Sequence, residues 1–180
     1  MARKKKASST KEFTLPSGSI VKLKKISPWL LERASKIDQM PEKPTYEVTT
    51  GLGTTEIHEH DENTLETDEE KAIWDEYLNE KKRLQAERSE RIADAIFYYA
   101  VVVTDRELYE GEWREDQEFF GFEIPEDKRD LKVHYVKTTL VQSVEDVTEL
   151  IAFTMEMAGI QGEVLQEARD SFQRAVDKVS

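Results

Sequence analysis

The chain has 180 residues, 38% hydrophobic and 36% charged, with 26 Lys and Arg against 38 Asp and Glu for a formal net charge of −12. That length suits about one domain and disfavours two full catalytic domains, while three Trp, six Tyr and seven Phe argue against full disorder. The lack of cysteine excludes disulfide scaffolds, thiol nucleophiles and thiolate metal sites.

The charge is divided along the chain. Residues 1–25 carry eight Lys or Arg and one Glu, whereas residues 26–180 carry 18 basic and 37 acidic side chains. Phosphate affinity comes largely from counterions released by Lys and Arg, so no nucleic-acid partner is expected for the acidic body. The run Arg3-Lys4-Lys5-Lys6 reads as a disordered, solvated tail over residues 1–10. No apolar run approaches the roughly 18 residues that a membrane span needs. The start leads into Ala-Ser-Ser-Thr-Lys instead of an apolar signal core, so a soluble intracellular protein without membrane contact is expected.

Residues 11–180 read as a single, mainly helical domain. It opens with a hairpin: apolar residues alternate on both sides of Pro16-Ser17-Gly18-Ser19, with Phe13 and Leu15 on a face opposite Val21 or Leu23. Ser27-Pro28 is a helix start, Ser as N-cap and Pro at the first helical position. Leu30, Leu31, Ala34 and Ile37 form its apolar stripe, which ends before Pro41. Residues 41–67 read as an acidic loop. Within it, residues 45–49 and 54–58 flank Gly51-Leu52-Gly53 and suit a second short hairpin, one too polar to be stable without a partner. Residues 59–70 hold seven acids and no Lys or Arg.

Thr67-Asp68-Glu69-Glu70 is a capping-box signature, and no Pro or Gly follows until Gly111. Ile73, Trp74, Tyr77 and Leu78 recur at helical spacing, as do Ile92, Ala95, Ile96, Tyr99, Ala100 and Val103. Between them only Leu84 and Ala86 are apolar, so the middle of a helix of about 36 residues would face solvent or a partner, unless it breaks near Ser89. Further helices are expected over 112–120 and 126–141. Another runs from the N-cap box Ser143-Val144-Glu145-Asp146 through Val144, Val147, Ile151, Met155 and Ala158 to a Gly159 cap. A last one carries Leu165, Ala168, Phe172, Ala175 and Val179.

Chemistry-bearing constellations are sparse. His58-Glu59-His60-Asp61-Glu62 would place both His on one strand face, but no third ligand stands at a definite spacing, and a solvated acidic loop is the plainer reading. His134 stands alone in a helical stretch and reads as a packing residue. With no phosphate loop, nucleophile elbow or His-Glu-x-x-His sequence, a non-enzymatic protein without cofactor or metal is expected. Trp113, Phe119, Phe120 and Phe122 fit either a docking patch or the packing of a short helix on the body, with core the plainer reading.

Phe13-Thr14-Leu15-Pro16-Ser17-Gly18 followed by Val21-Lys22-Leu23, then Ile26-Ser27-Pro28-Trp29-Leu30, resembles the opening hairpin and helix of the tail assembly chaperones of long-tailed phages. Pro44-Thr45-Tyr46-Glu47-Val48 and the stretch from His58 to Leu65 leading into the helix at Trp74 are similar to variants of phage tail modules. The resemblance implies a helical accessory protein of the host bacterial cytoplasm. Such a protein binds the long, aggregation-prone tape measure protein, helps recruit tail tube protein and is absent from the finished virion. A structural tail or head-completion subunit and a small phage or prophage adaptor are the alternatives, and self-association stays open. A helical client needs an apolar groove with anchors at i, i+3 or i+4 and i+7. The residues able to line one are Ile92, Ile96, Tyr99 and Val103 on the long helix and Val147, Ile151 and Met155 on the later one, unless these two faces pack on each other.

Overall fold

The computed structural model describes residues 10–36, 40–51 and 53–160. The protein is mainly helical with two small antiparallel hairpins. Its contacts group into two compact units: Met1–Lys36 with Ser89–Ser180, and Ile37–Arg88. The basic residues at the start and the expected helix over residues 165–179 lie outside the described residues.

In the larger unit, strands β1 (Thr10–Thr14) and β2 (Ile20–Lys24) pair with Phe13 opposite Val21 and Lys11 opposite Leu23. The turn is a three-residue loop: Gly18 N–H donates to Leu15 O (2.8 Å), Leu15 N–H to Ser19 O (2.8 Å), and Gly18 takes φ 91°. That left-handed position is open to Gly at little cost, as the Pro-Ser-Gly sequence predicts. Val21 and Leu23 are buried while Ile20 and Lys22 face out. On its other edge β2 meets residues 100–102: Lys24 N–H donates to Ala100 O (2.9 Å) and Val102 N–H to Lys22 O (2.8 Å). Phe13 stacks on Phe153 at a centroid distance of 4.3 Å.

Helix α1 (Pro28–Ser35) starts where expected, with Pro28 in the first turn, but the Ser27 side chain makes no capping hydrogen bond. Helix α2 (Asp68–Tyr99) runs 32 residues without a break at Ser89; residues 68–88 belong to the smaller unit and 89–99 to the larger. Its capping box forms: Glu70 N–H donates to Thr67 Oγ1 (3.2 Å) and Glu70 Oε2 accepts from Thr67 N–H (2.8 Å). Backbone donors from Thr67 and Glu66 hold the Glu70 carboxyl below its ordinary pKa. At the other end, Lys132 Nζ donates to Tyr98 O, a last-turn carbonyl that the helix end leaves free, and to Val101 O just beyond the helix, both at 2.6 Å. Burial, then the nearby Lys24 and Lys128, push this ammonium down to about 8.

Among the described residues the larger unit has four further α-helices: α3 (Asp105–Glu110), α4 (Trp113–Phe119), α5 (Lys128–Tyr135) and α6 (Val144–Ala158). The continuous helix expected over 126–141 instead widens into a π-helical turn at Val136–Leu140. There the Thr138 hydroxyl donates to His134 O (2.9 Å), the carbonyl an α-helical Thr138 N–H would use. Leu15, Leu23, Ile96, Phe97, Leu131 and Leu150 are among the residues of one continuous core.

Asp146 ties the first hairpin to α6. Its carboxylate accepts from the N–H groups of Ser17 (2.9 Å), Gln142 (2.8 Å) and Ser143 (3.2 Å), and its own N–H donates to Ser143 Oγ, closing the expected box. Burial alone would raise its pKa, but these donors outweigh it and hold the carboxyl below its usual range.

In the smaller unit, β3 (Thr45–Thr49) pairs with β4 (Thr55–Glu59) through the same turn design: Gly53 N–H donates to Thr50 O, Thr50 N–H to Thr54 O, and Gly53 has φ 79°. Most of its side chains are exposed. Tyr46 lies 4.6 Å from the buried His60 ring and 5.8 Å from His58. The buried Trp74 ring sits 5.3 Å from Tyr77 and under Lys43.

Candidate interaction surface

Helix α4 is held at its start by packing that tolerates no side chain at Gly111. A Cβ there would lie 2.6 Å from Trp113 Cδ1 and 2.7 Å from Glu107 O. Trp113 is buried, its Nε1–H donates to Glu107 O (2.7 Å), and its ring meets Tyr135 edge-on at 5.1 Å. Arg114 Nη1 donates to Leu108 O (3.2 Å). Gln117 Oε1, midway along the helix, lies 3.1 Å from His134 Nε2, so the ring nitrogen donates to the amide oxygen. His134 is half-buried; burial and then Lys137 hold its pKa below the ordinary value.

The far end of α4 closes as a Schellman motif. Phe122 N–H donates to Gln117 O (2.9 Å), Gly121 N–H to Glu118 O (3.1 Å), and Gly121 takes φ 75°. Phe119 and Phe120 precede the Gly121 turn and Phe122 follows it. Phe119 is 84%, Phe120 68% and Phe122 57% exposed, with the first two rings edge-on at 5.3 Å. The chain then returns to the core through the half-buried Ile124. Burying one Phe is worth about 1.5–3 kcal/mol. Three left in solvent within four residues expose apolar surface on the order of a few hundred Å2, which a partner could cover. Ile20, Ile57 and Ile73 are exposed too, but singly in sequence.

Of the four aromatics weighed together, Trp113 is therefore core and the three Phe are surface. The groove reading meets the opposite outcome. Ile92, Ile96, Ile151 and Met155 are buried, and Tyr99, Val103 and Val147 are half-buried against the same core. The two helix faces are spent on one cluster, because a polar chain of this size has few apolar faces to spare. Four of those seven residues are therefore core, and the other three are half-buried against it.

The remaining candidates hold little chemistry. His58 Nε2 lies 3.3 Å from Glu56, and His60 Nδ1 lies 3.3 Å from the Thr64 hydroxyl. Among the described residues no three His, Asp or Glu side chains converge as metal ligands. Asp94, Arg129, Asp130, Val133, His134 and Lys137 line an open cleft of about 300 Å3, where Lys137 pairs with Asp94 at 2.7 Å. No helix of the described residues is long and apolar enough to cross a membrane.

Compared with protein-family models, curated proteins and solved structures, the chain matches none.

Proposed function

We propose that the chain is a non-enzymatic binding protein, a tail assembly chaperone of long-tailed phages that acts in the host cytoplasm. It holds the tape measure protein in solution and helps bring tail tube protein to it. The observation that carries this reading is the exposed triad Phe119, Phe120 and Phe122, three large apolar side chains within four residues, beside a core cluster that is buried. A client rich in amphipathic helix offers the apolar surface that such a patch takes from water. The acidic body keeps the complex soluble. The resemblance of residues 13–30 supplies the assembly context.

Co-expression with the tape measure protein of the same genome tests the reading. The client partitions to the soluble fraction and co-purifies when the chain is present, and pellets when it is absent. A client equally soluble alone contradicts it. So does recovery of this chain at stoichiometric copy number in purified virions, the signature of a structural subunit.

A further inference from the structure

Four acids flank the aromatic triad in the sequence. Glu115, Asp116, Glu118 and Glu123 are all exposed, and none forms an ion pair among the described residues. The only cation between residues 113 and 123, Arg114, is turned away: it donates to Leu108 O and lies 5.9 Å from the Trp113 ring centroid. Acids elsewhere do find partners, such as Glu80 with Arg83 at 2.7 Å and Asp105 with Lys128 at 2.8 Å. Apolar anchors ringed by unpaired charge of one sign select a partner by the opposite sign, because the rim contributes steering and rejects like charge while the centre supplies burial.

We infer that the end of α4 is a docking site for a basic amphipathic helix, whose apolar face covers Phe119, Phe120 and Phe122 while its Lys or Arg side chains meet Glu115, Asp116, Glu118 and Glu123. This rests on the binding reading above and specifies the client segment by its chemistry. Neither candidate segment of this chain has the required chemistry: Arg3-Lys4-Lys5-Lys6 has the charge but no neighbouring apolar residues, and the apolar stripe expected over residues 165–179 comes with three basic and three acidic side chains, so an external basic peptide is the occupant.

The test uses the full chain and three synthetic peptides of about five helical turns. One has an apolar face with a Lys/Arg polar face, one the same apolar face with a Glu polar face, and one the basic residues with the apolar face replaced by Ala. The inference expects only the first to bind. The triple variant F119S/F120S/F122S weakens it at least about tenfold. The charge-neutral variant E115Q/D116N/E118Q/E123Q weakens it about tenfold and flattens its salt dependence. Equal binding of the Glu peptide, or binding unchanged by either variant, overturns it. So does a chain that self-associates in a manner lost on F119S/F120S/F122S, because the triad is then covered by a second copy. If no peptide binds while the tape measure protein is still solubilised, this inference fails and the chaperone reading survives; if solubilisation also fails, both fall.

Discussion

Two helices of the larger unit end in the same backbone motif and use it for opposite purposes. At the end of α6, Gly159 N–H donates to Glu156 O and Ile160 N–H to Met155 O, with Gly159 at φ 86°; Ile160 is half-buried against the core. At the end of α4 the same pair of hydrogen bonds surrounds Gly121, yet Phe122 in the equivalent place is exposed, as are the two Phe before it. The motif normally carries an apolar contact back onto its own helix. Backbone chemistry thus decides where the chain turns; the neighbouring elements decide whether the turned-out side chain stabilises the fold or remains available.

Substitutions at the two ends should separate these uses. The largest effect is expected from Met155→Asp, which puts a carboxylate into a site 3% exposed and costs on the order of 4–5 kcal/mol or more. Loss of the cooperative urea transition is the expected result. Asp146→Ala, at the start of α6, leaves three backbone N–H groups without their acceptor and costs about 1–3 kcal/mol, read as a shift of the urea midpoint. The wild-type contribution has a defined pH dependence. Because the folded carboxyl titrates below its unfolded value near 3.9, the stabilisation is complete above that value and is lost as pH falls through the folded pKa. The Ala variant should lack this acid limb.

Gly111→Ala forces a methyl against Trp113 and the Glu107 carbonyl and costs about 1–3 kcal/mol, with a changed near-ultraviolet dichroism of the Trp113 environment. Gly121→Ala meets no neighbour but strains a left-handed backbone, a cost of about 1 kcal/mol. Per site the smallest effect on stability belongs to F119S/F120S/F122S, about 0.5 kcal/mol each, because more than half of every ring lies in solvent.

Much of this architecture is legible in the sequence where local chemistry dictates it. The Pro-Ser-Gly hairpin, the Thr67–Glu70 and Ser143–Asp146 boxes and the Gly159 stop all form as their residues imply. Helix α3 was missed: its signal is Thr104-Asp105-Arg106-Glu107, whose capping box is made in full, but its six residues are too short to show an apolar period. The second hairpin follows its turn residues although it is almost wholly exposed. What periodicity cannot deliver is which apolar face finds a partner. Ile92, Ile96, Ile151 and Met155 have the spacing of a client groove and of a core helix alike, and long-range packing makes them core. Phe119, Phe120 and Phe122 looked like core by composition. Their signal lay in crowding: adjacent Phe at the end of a seven-residue helix, followed at once by Gly, cannot all turn to the side that Trp113 occupies.

If a client takes the Phe triad, removing the triad separates stability from client solubilisation. The most direct measurement co-expresses the tape measure protein with F119S/F120S/F122S, while thermal unfolding of the purified variant is followed in parallel. The account predicts a melting temperature within a few degrees of wild type and a client that shifts from the soluble fraction to the pellet. A folded variant that keeps the client soluble as well as wild type contradicts it.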